Sequence, residues 1–408
     1  MSAPVAGGPT TDLLLARTRE ALPRYLHELA ALVAVDSGSY SADGIDEVAD
    51  WIEGRLSGLG FTVERLGGGM LPTGQRAGDV VVARRAGALA RTDGGGRILL
   101  AGHMDTVFDD GTAAARPFTT AVDRAYGPGV SDDKGGLLAG IHAIETLDGL
   151  GFDQYAELVL LATPDEEIGS PVSRPVTEAT ASGVDWALAL ECARENGDLV
   201  IARKGVADLR VTVTGRAAHA GIEPERGAHA ALAAAHLVVA LQALNGTIPG
   251  VSVNVGVVRA GSRPNIVPAQ AELDVEIRAT STGGLHEARA AVQELTARTS
   301  VPGTRAVVEV HDLCPPMEAT ERVRELAATA RHLGERLDLT VGAAATGGVG
   351  DANIIAGTGT PVLDGLGPVG GGDHSPGEWL DVSSVPGRIA LLAALISELG
   401  DAGRRSSL

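Results

Sequence analysis

Short strand-like runs alternate with helical ones through the first half of the chain. The runs Thr62–Leu66, Ile98–Gly102 and Glu157–Thr163 have the length and composition of strands, whereas Gly135–Leu147 has the spacing of a helix. Parallel strands need long crossover connections, which are usually helices. The alternation therefore predicts an α/β layer fold with a mixed, largely parallel sheet. In such sheets, the side chains that do chemistry collect at the carboxyl ends of the strands.

The pattern changes near Gly205. From Val206 to Val310, long alternating strands and two helices follow one another in the order β-α-β-β-α-β. That order is typical of a ferredoxin-like α+β sandwich. After Cys314, helical and strand-like segments resume. We therefore predict one α/β domain made of residues 1–205 and 314–408, with a smaller α+β domain, residues 206–313, inserted into it.

The charge and cysteine content exclude several classes of partner. The chain has 408 residues and a net charge of −19, so we expect it to repel nucleic acid and anionic membranes. Two cysteines, Cys192 and Cys314, are too few for a disulfide framework or a cysteine-rich metal site. Neither a signal peptide nor a transmembrane segment is expected. These features predict a cytoplasmic protein with a disordered lead-in at residues 1–10.

The segment Tyr126–Gly136, YGPGVSDDKGG, is rich in glycine and holds two adjacent aspartates. It does not match a phosphate-binding P-loop, because Asp133 precedes Lys134 and a glycine follows it. It does not match the dinucleotide fingerprint either, because Asp132 occupies the place of the third glycine. Two carboxylates would also repel a phosphate. Taken alone, such a cluster is typical of a turn, and the alternative is a part of a metal site.

Residues that bind metals follow several other predicted strands. His103 and Asp105 are two residues apart after one strand, so they point the same way, and a carboxylate there can orient a metal-binding histidine. Two adjacent glutamates after another strand can diverge, one binding metal and the other facing substrate as a general base. Each residue by itself also fits a surface turn. Together, two imidazoles and three carboxylates suit two zinc ions with one shared carboxylate, and they are His103, Asp132, Glu167, Glu191 and His374.

At this point the sequence resembles a known family along nearly its whole length. It is similar to the dizinc metallopeptidases that include glutamate carboxypeptidase, acetylornithine deacetylase, succinyl-diaminopimelate desuccinylase and aminoacylase. The similarity is greatest to the glutamate carboxypeptidase branch. The motifs that carry it, in the order of the family, are GHMDTV (Gly102–Val107), YGPGVSDDKGG, TPDEEIGS (Thr163–Ser170), the strand end at Glu191, TGRAAHAG (Thr214–Gly221), RPNIVPAQAELDVEIR (Arg263–Arg278), TGGVGDANI (Thr346–Ile354) and GGGDHSPGEW (Gly370–Trp379).

The resemblance implies roles for the residues of the α/β domain. The five side chains would bind two zinc ions per subunit, with Asp132 bridging them and cobalt as a possible substitute. Asp105 would orient His103, and Glu166 would be the general base on the attacking water. The peptide bond between Asp132 and Asp133 would be cis.

The resemblance also implies that the inserted domain is a lid and dimerisation domain, and that the protein is a homodimer. His219, in the TGRAAHAG motif, would stabilise the oxyanion of the tetrahedral intermediate, and in dimeric relatives this histidine reaches the active site of the partner subunit. Asn265 would assist at the substrate carbonyl. Arg278 would hold the substrate carboxylate, which supplies the local cation that an anionic substrate needs in so acidic a protein.

The implied reaction is hydrolysis of an amide bond that releases a free amino acid from an N-acyl amino acid or a dipeptide, as in a glutamate carboxypeptidase. The segment His311–Cys314 has no lysine or arginine for a second carboxylate, which favours an amino acid other than glutamate. An N-acyl-amino-acid deacylase or a dipeptidase with the same site is an alternative. A non-catalytic peptide-binding relative is a further alternative, against which the complete ligand set and Glu166 argue.

Overall fold

The structure, a computed structural model, describes residues 8–298 and 300–405. These residues form two compact units. Unit 1 comprises residues 8–201, 319–345 and 350–405, and unit 2 comprises residues 202–298, 300–318 and 346–349. Of the predicted lead-in, residues 1–7 lie outside the described residues. The assignment of the inserted segment as a lid and dimerisation domain stays a prediction.

Helices and strands account for most of the described chain, and none of its helices is long and apolar enough to cross a membrane. In chain order the elements are α1 (Thr11–Val33), α2 (Ala42–Gly58), β1 (Thr62–Leu66), β2 (Val80–Ala86), β3 (Arg97–His103), α3 (Thr112–Ala115), β4 (Thr119–Ala121), β5 (Arg124–Tyr126), α4 (Lys134–Gly149), β6 (Glu157–Thr163), α5 (Arg174–Ala181), β7 (Trp186–Ala189), β8 (Leu199–Arg203), β9 (Gly205–Thr214), α6 (Ala230–Gln242), β10 (Val251–Ala260), β11 (Gln270–Ala279), α7 (Thr282–Ala297), β12 (Arg305–Cys314), α8 (Glu321–Glu335), β13 (Ala343–Thr346), α9 (Asp351–Gly357), β14 (Val362–Leu363), β15 (Gly370–Gly371), β16 (Trp379–Asp381), α10 (Val385–Gly400) and α11 (Ala402–Arg405).

Unit 1 is built on a mixed six-stranded sheet with the strand order β1-β2-β6-β3-β7-β14. β3 pairs in parallel with β6 and β7, and β14 pairs in parallel with β7, whereas β1, β2 and β6 are joined antiparallel. The central strands are continuous apolar runs rather than alternating ones, because they are buried and share one core with α1, α2, α4 and α10. The predicted α/β class with a mixed, largely parallel sheet is confirmed.

The register of the sheet brings three strand ends to one edge. His103 at the end of β3 is paired with Thr163 at the end of β6, and Ala101 is paired with Ala189 at the end of β7. The residues that follow these strands therefore start from neighbouring positions. Those segments carry Asp105, the two glutamates after β6 and Glu191.

The Asp132–Asp133 turn is fixed by the close packing of the first turn of α4. A Cβ atom at Gly136 would lie 1.9 Å from the carbonyl oxygen of Leu190 and 2.0 Å from Asp133 Oδ1. Glycine is therefore required at position 136 for α4 to approach the chain that follows β7. Lys134, the first residue of α4, is buried, and its Nζ donates hydrogen bonds of 3.0 and 2.7 Å to two main-chain carbonyl oxygens at and just beyond the end of α1.

Unit 2 contains a four-stranded antiparallel sheet with the order β10-β11-β9-β12. α6 and α7 pack against this sheet in a core of their own. In β9, alternate side chains from Ala207 to Val213 are buried in that core, which is why the sequence shows a period of two there. The order of elements is the predicted β-α-β-β-α-β.

Candidate metal centre

His103 is the last residue of β3, and its side chain is buried. Its Nδ1 lies 3.0 Å from the carbonyl oxygen of Asp105 and 3.3 Å from Asp105 Oδ1. Its Nε2 lies 2.9 Å from Asp132 Oδ1 and 3.7 Å from Glu191 Oε1. A proton on Nδ1, held by the carbonyl oxygen, leaves Nε2 as the nitrogen that can bind a metal ion.

Asp132 lies between two groups of possible ligands. One group is His103, Asp132 and Glu191, and the other is Asp132, Glu167 and His374, with the ligand atoms of each group within 4.8 Å of one another. His374 Nε2 is 3.3 Å from Asp132 Oδ2 and 3.0 Å from Glu167 Oε2. Because one carboxylate belongs to both groups, the donor set fits a pair of metal ions that share a ligand. These five residues are those that the sequence analysis proposed as ligands.

His374 reaches this position from a glycine-rich loop. The loop contains the short strand β15, Gly370–Gly371, which pairs with β16, and the φ angle of His374 is 60°. Few residues other than glycine adopt such a left-handed backbone. The side chain of His374 is 58% exposed, so it forms the open side of the cluster, whereas Glu167 is 5% exposed.

Asp105 connects the histidine to the segment that carries the two glutamates. Its Oδ1 accepts a hydrogen bond of 3.1 Å from the backbone N–H of Glu166, and its Oδ2 accepts one of 3.2 Å from that of Glu167. The hydroxyl of Ser39 donates to Asp105 Oδ2 over 2.7 Å. Asp105 is fully buried, so these bonds hold His103, Glu166 and Glu167 to one fixed point.

The charges of the cluster perturb one another strongly. Burial opposes the charged form of Asp132, but hydrogen bonds from His103 and His374 hold the pKa of Asp132 well below its usual range. Burial, together with the Asp132 carboxylate, raises the pKa of Glu167 to about 8. The hydrogen bond to Asp132 raises the pKa of His374 to about 9. Burial raises the pKa of Glu166 well above its usual range.

Asp133, the neighbour of Asp132, belongs to neither ligand group. It is fully buried, and its Oδ2 accepts the backbone N–H of His103 over 3.3 Å. Its Oδ1 has no hydrogen-bond partner among the described residues, and burial raises its pKa well above the usual range. The peptide bond between Asp132 and Asp133 is cis, as the resemblance implied.

A buried carboxylate that the sequence analysis missed, Glu378, holds the loop of Asp132. Glu378 is 2% exposed, and it accepts backbone N–H bonds from Gly129, Ser131 and Asp132 at 2.9, 3.0 and 3.2 Å. The Ser131 hydroxyl also donates to Asp373, the neighbour of His374, over 2.7 Å. Glu378 thus connects two ligand loops. Its only signal in the sequence is an acidic residue four positions after His374 in the GGGDHSPGEW motif.

The remaining predicted site residues lie in unit 2. The loops of His219 and Asn265 are joined there, because the backbone N–H of Ala220 donates to the carbonyl oxygen of Asn265 over 3.0 Å, and both side chains are exposed. Arg278 forms two hydrogen bonds with the carboxylate of Glu276, of 3.0 and 2.9 Å, and a third of 2.8 Å with the carbonyl oxygen of Gly347. Glu276, two residues earlier on the same face of β11, is a second residue that the sequence analysis missed.

Comparison with known proteins agrees with this geometry. The model of the peptidase family M20/M25/M40 matches residues 99–398, which include all five possible ligands. The chain belongs to this family. As an M20/M25/M40 peptidase it is an enzyme, a metal-dependent hydrolase of amide bonds.

Two curated relatives cover most of this M20/M25/M40 peptidase. It is 32% identical over 392 residues to carboxypeptidase G2 from Pseudomonas sp. (strain RS-16). The aligned region covers 95% of this chain and 92% of the relative. It is 28% identical over 343 residues to acetylornithine deacetylase from Salmonella paratyphi B, and the aligned region covers 79% of this chain and 85% of the relative. The predicted resemblance is therefore confirmed.

Solved structures support the fold. Aminopeptidase PepT from Bacillus cereus matches with a TM-score of 0.74 at 24% identity, covering 93% of this chain and 98% of that one. An M20 family metallo-carboxypeptidase from Sulfolobus solfataricus, Sso-CP2, matches with a TM-score of 0.68 at 16% identity, covering 92% and 99%. At these identities the two structures establish a shared fold.

The ionisation of the cluster predicts how metal removal depends on pH. Folding raises the pKa of Glu167 from 4.5 to about 8 and that of His374 from 6.5 to about 9. Without metal, the folded state then binds more protons than the unfolded state, so its stability falls as the pH rises through this window. Metal binds the deprotonated ligands, so its stabilising effect grows over the same range.

We therefore expect the difference in Tm between the protein with added Zn²⁺ and the chelator-treated protein to be larger at about pH 8.5 than at about pH 6. Thermal unfolding followed by circular dichroism measures both. In the Glu167→Gln variant the pH dependence should be weaker. A difference in Tm that is equal at both pH values would contradict the assigned cluster.

The Glu378→Gln variant should bind metal more weakly while remaining folded. Glutamine keeps the size of the side chain but replaces one acceptor oxygen by an NH2 group, which would face backbone N–H donors of residues 129–132. Loss of such a supporting contact typically weakens metal binding about 10- to 100-fold. Competition with a chromophoric chelator measures the affinity, and Glu178→Gln, an exposed carboxyl of α5, is the matched control. Equal affinity in the two variants would contradict this role.

Proposed function

We propose that this M20/M25/M40 peptidase uses two zinc ions to hydrolyse N-acyl amino acids or dipeptides and release a free amino acid. The observation that carries the proposal is the single carboxylate, Asp132, shared by two ligand groups, with Glu166 on the adjoining segment. The similarity to carboxypeptidase G2 supports release of a carboxyl-terminal amino acid. An N-acyl-amino-acid deacylase or a dipeptidase would use the same residues.

The donor set suits zinc. Zinc prefers four ligands, which histidine nitrogens and carboxylate oxygens can supply. Each group offers three of them, one histidine and two carboxylates, which would leave one position for a water or substrate atom. When bound, such a pair of ions polarises the substrate carbonyl group and lowers the pKa of water. Cobalt, which accepts similar ligands, is proposed as a substitute.

Glu166 is the proposed general base. It takes a proton from the attacking water and returns it to the nitrogen of the leaving amino acid, so that the amide C–N bond breaks as the new C–O bond is kept. Asp105 positions this residue through the N–H bond to its backbone, and it fixes the tautomer of His103 through Nδ1. The first effect comes from the buried carboxylate of Asp105, and the second comes from its backbone carbonyl oxygen, with Oδ1 3.3 Å from the same nitrogen.

Three residues of unit 2 are proposed to act on the substrate. His219 would donate a hydrogen bond to the oxyanion of the tetrahedral intermediate, from its own or the partner subunit, and Asn265 would assist at the carbonyl group. Arg278 would bind the carboxylate of the released amino acid. Its bidentate pair with Glu276 means that a substrate carboxylate must compete with that side chain.

The decisive experiment is a panel of N-acetyl amino acids and dipeptides, assayed for released amino acid with Zn²⁺ or Co²⁺ added. We expect turnover that falls about 10²- to 10⁴-fold in Glu166→Gln, because general-base catalysis is lost. The metal content of that variant should stay equal to that of the parent, as measured by atomic emission.

Amidation of the substrate's terminal carboxyl group is the internal control. If a charged arginine holds the carboxylate, KM should rise about tenfold or more with little change in kcat. Full activity of Glu166→Gln would show that another group is the base. Absence of any turnover, with less than one metal ion per chain, would favour a non-catalytic peptide-binding protein.

We also propose a cytoplasmic homodimer that associates through unit 2. Several large apolar side chains of that unit are exposed, including Leu232 and Val239 on α6, at 46% and 72%, and Val258 on the edge strand β10, at 52%. We propose that these side chains contact the partner subunit, since exposed apolar surface is typical of an interface. Neither Cys192 nor Cys314 forms a disulfide bond, as is usual for cysteines in the reducing cytoplasm.

Light scattering after gel filtration should give twice the chain mass of 41.4 kDa. We expect Val239→Asp to shift the protein towards monomer, because it buries an unpaired charge in the interface. Val122→Asp, at a side chain of unit 1 that is 98% exposed, should leave the mass unchanged. A monomeric parent protein would contradict the proposal.

A further inference from the structure

A cavity of about 530 Å³ in unit 1 adjoins the metal centre. Glu167, one of the possible ligands, forms part of its wall. The rest of the wall comes from two segments, residues 38–41 and 106–110, with Gln75 and Ile168. A substrate whose amide group lies at the metal centre therefore has space beside it for one of its two ends.

The wall has a distinct chemistry. It contains large apolar surfaces from Tyr40, Val107 and Phe108, and the first two are 52% and 40% exposed. It also includes the acidic residues Asp109 and Asp110, and the lining residues include no lysine or arginine. The cavity thus combines apolar surface with negative charge.

The wall is also preformed. The segments on its two sides are hydrogen-bonded to each other, since the N–H of Thr106 donates to the carbonyl oxygen of Ser37 over 2.9 Å, and the N–H of Ser39 donates to that of Thr106 over 3.2 Å. Asp36 accepts two more N–H bonds, both of 2.8 Å, from Gly111 and Ala113 beyond the acidic pair. A wall fixed in this way binds without a cost for ordering it.

The charges decide which end of the substrate fits. The released amino acid carries a carboxylate, which needs a cation and would be repelled by Asp109 and Asp110. Arg116 lies over the ring of Phe108, 4.3 Å from the ring centroid, and donates to the carbonyl oxygen of Ser375. It does not line the cavity. The end that remains is the acyl or amino-terminal end.

We propose that this cavity binds the acyl or amino-terminal part of the substrate and selects for groups that are uncharged or cationic, with an apolar portion. The inference rests on the proposed amide hydrolysis at the metal centre. It excludes dicarboxylic acyl groups, such as succinyl, as preferred substrates. Asp109 and Asp110 would determine the specificity of this cavity, and Tyr40 would contact the apolar portion of the substrate.

The test uses three acyl groups of similar length on the amino acid that the panel above shows to be released fastest. Pentanoyl is neutral, 4-aminobutanoyl is cationic and succinyl is anionic. We expect kcat/KM for the first two to exceed that for succinyl by about tenfold or more, chiefly through KM, and the preference to shrink with added salt. In the variant Asp109→Asn/Asp110→Asn the ratio of cationic to anionic substrate should fall about fivefold or more.

Matched variants separate charge at the cavity from the charge of the whole protein. Glu64→Gln/Glu178→Gln removes two exposed carboxyls of unit 1 that do not line the cavity, and it should leave the ratio unchanged. Tyr40→Ala should raise KM for the pentanoyl substrate about three- to tenfold while kcat stays similar. Folding of each variant is checked by its Tm.

The outcomes distinguish this inference from the function on which it rests. If none of the three substrates is hydrolysed although metal is bound, the proposed function fails and the inference fails with it. If all are hydrolysed but succinyl is preferred, or the ratio is the same in Asp109→Asn/Asp110→Asn as in the parent, the inference alone is overturned. A lowered ratio in that variant, with no change in Glu64→Gln/Glu178→Gln, supports it.

Discussion

The carboxylate of Asp132 is the contact on which the site depends, because it binds both histidines while other acids crowd around it. Glu166, Glu167 and Asp133 lie close enough for burial and mutual repulsion to raise their pKa values. Like charges packed this closely are unfavourable unless protons or cations neutralise them. The proposed pair of metal ions would do this at neutral pH and would leave every ligand in its metal-binding form. The same crowding that destabilises the metal-free cluster therefore favours metal binding.

That arrangement needs support from beyond the ligands. The loop of Asp132 is held on one side by the carboxylate of Glu378 and on the other by the buried ammonium group of Lys134, which is hydrogen-bonded to carbonyl oxygens near α1. The missing Cβ of Gly136 lets α4 begin directly after the turn. Backbone bonds of this kind fix Asp132 between its two histidines before any ion arrives, which lowers the cost of binding one.

Much of this was accessible from the sequence, and the exceptions have a common cause. The strands β1 and β6 were predicted at their observed bounds, and the ligands could be chosen because each follows an apolar strand or lies in a motif of the family. Short elements such as β4, β5 and α9 were not predicted, because elements with so few residues show no hydrophobic period in the sequence. Glu378 and Glu276 were missed because their partners, backbone N–H groups of another loop and the guanidinium of Arg278, are set by tertiary structure. In a sequence with many acidic residues, nothing distinguishes the one whose carboxylate has such a partner.

The acidity of the chain has a more specific meaning than its net charge suggests. A dipeptide has a cationic amino end and an anionic carboxyl end, and an enzyme that recognises both needs opposite charges for them. In the proposed scheme the acids Asp109 and Asp110 suit the first end and Arg278 suits the second. Glu276 forms an ion pair with that arginine while no substrate is bound. The free energy gained on binding a substrate carboxylate is therefore only the difference between its ion pair with Arg278 and the Glu276 ion pair that it replaces. The amino side of the substrate would then contribute more to selection than the carboxyl side, whose only specific partner is already paired.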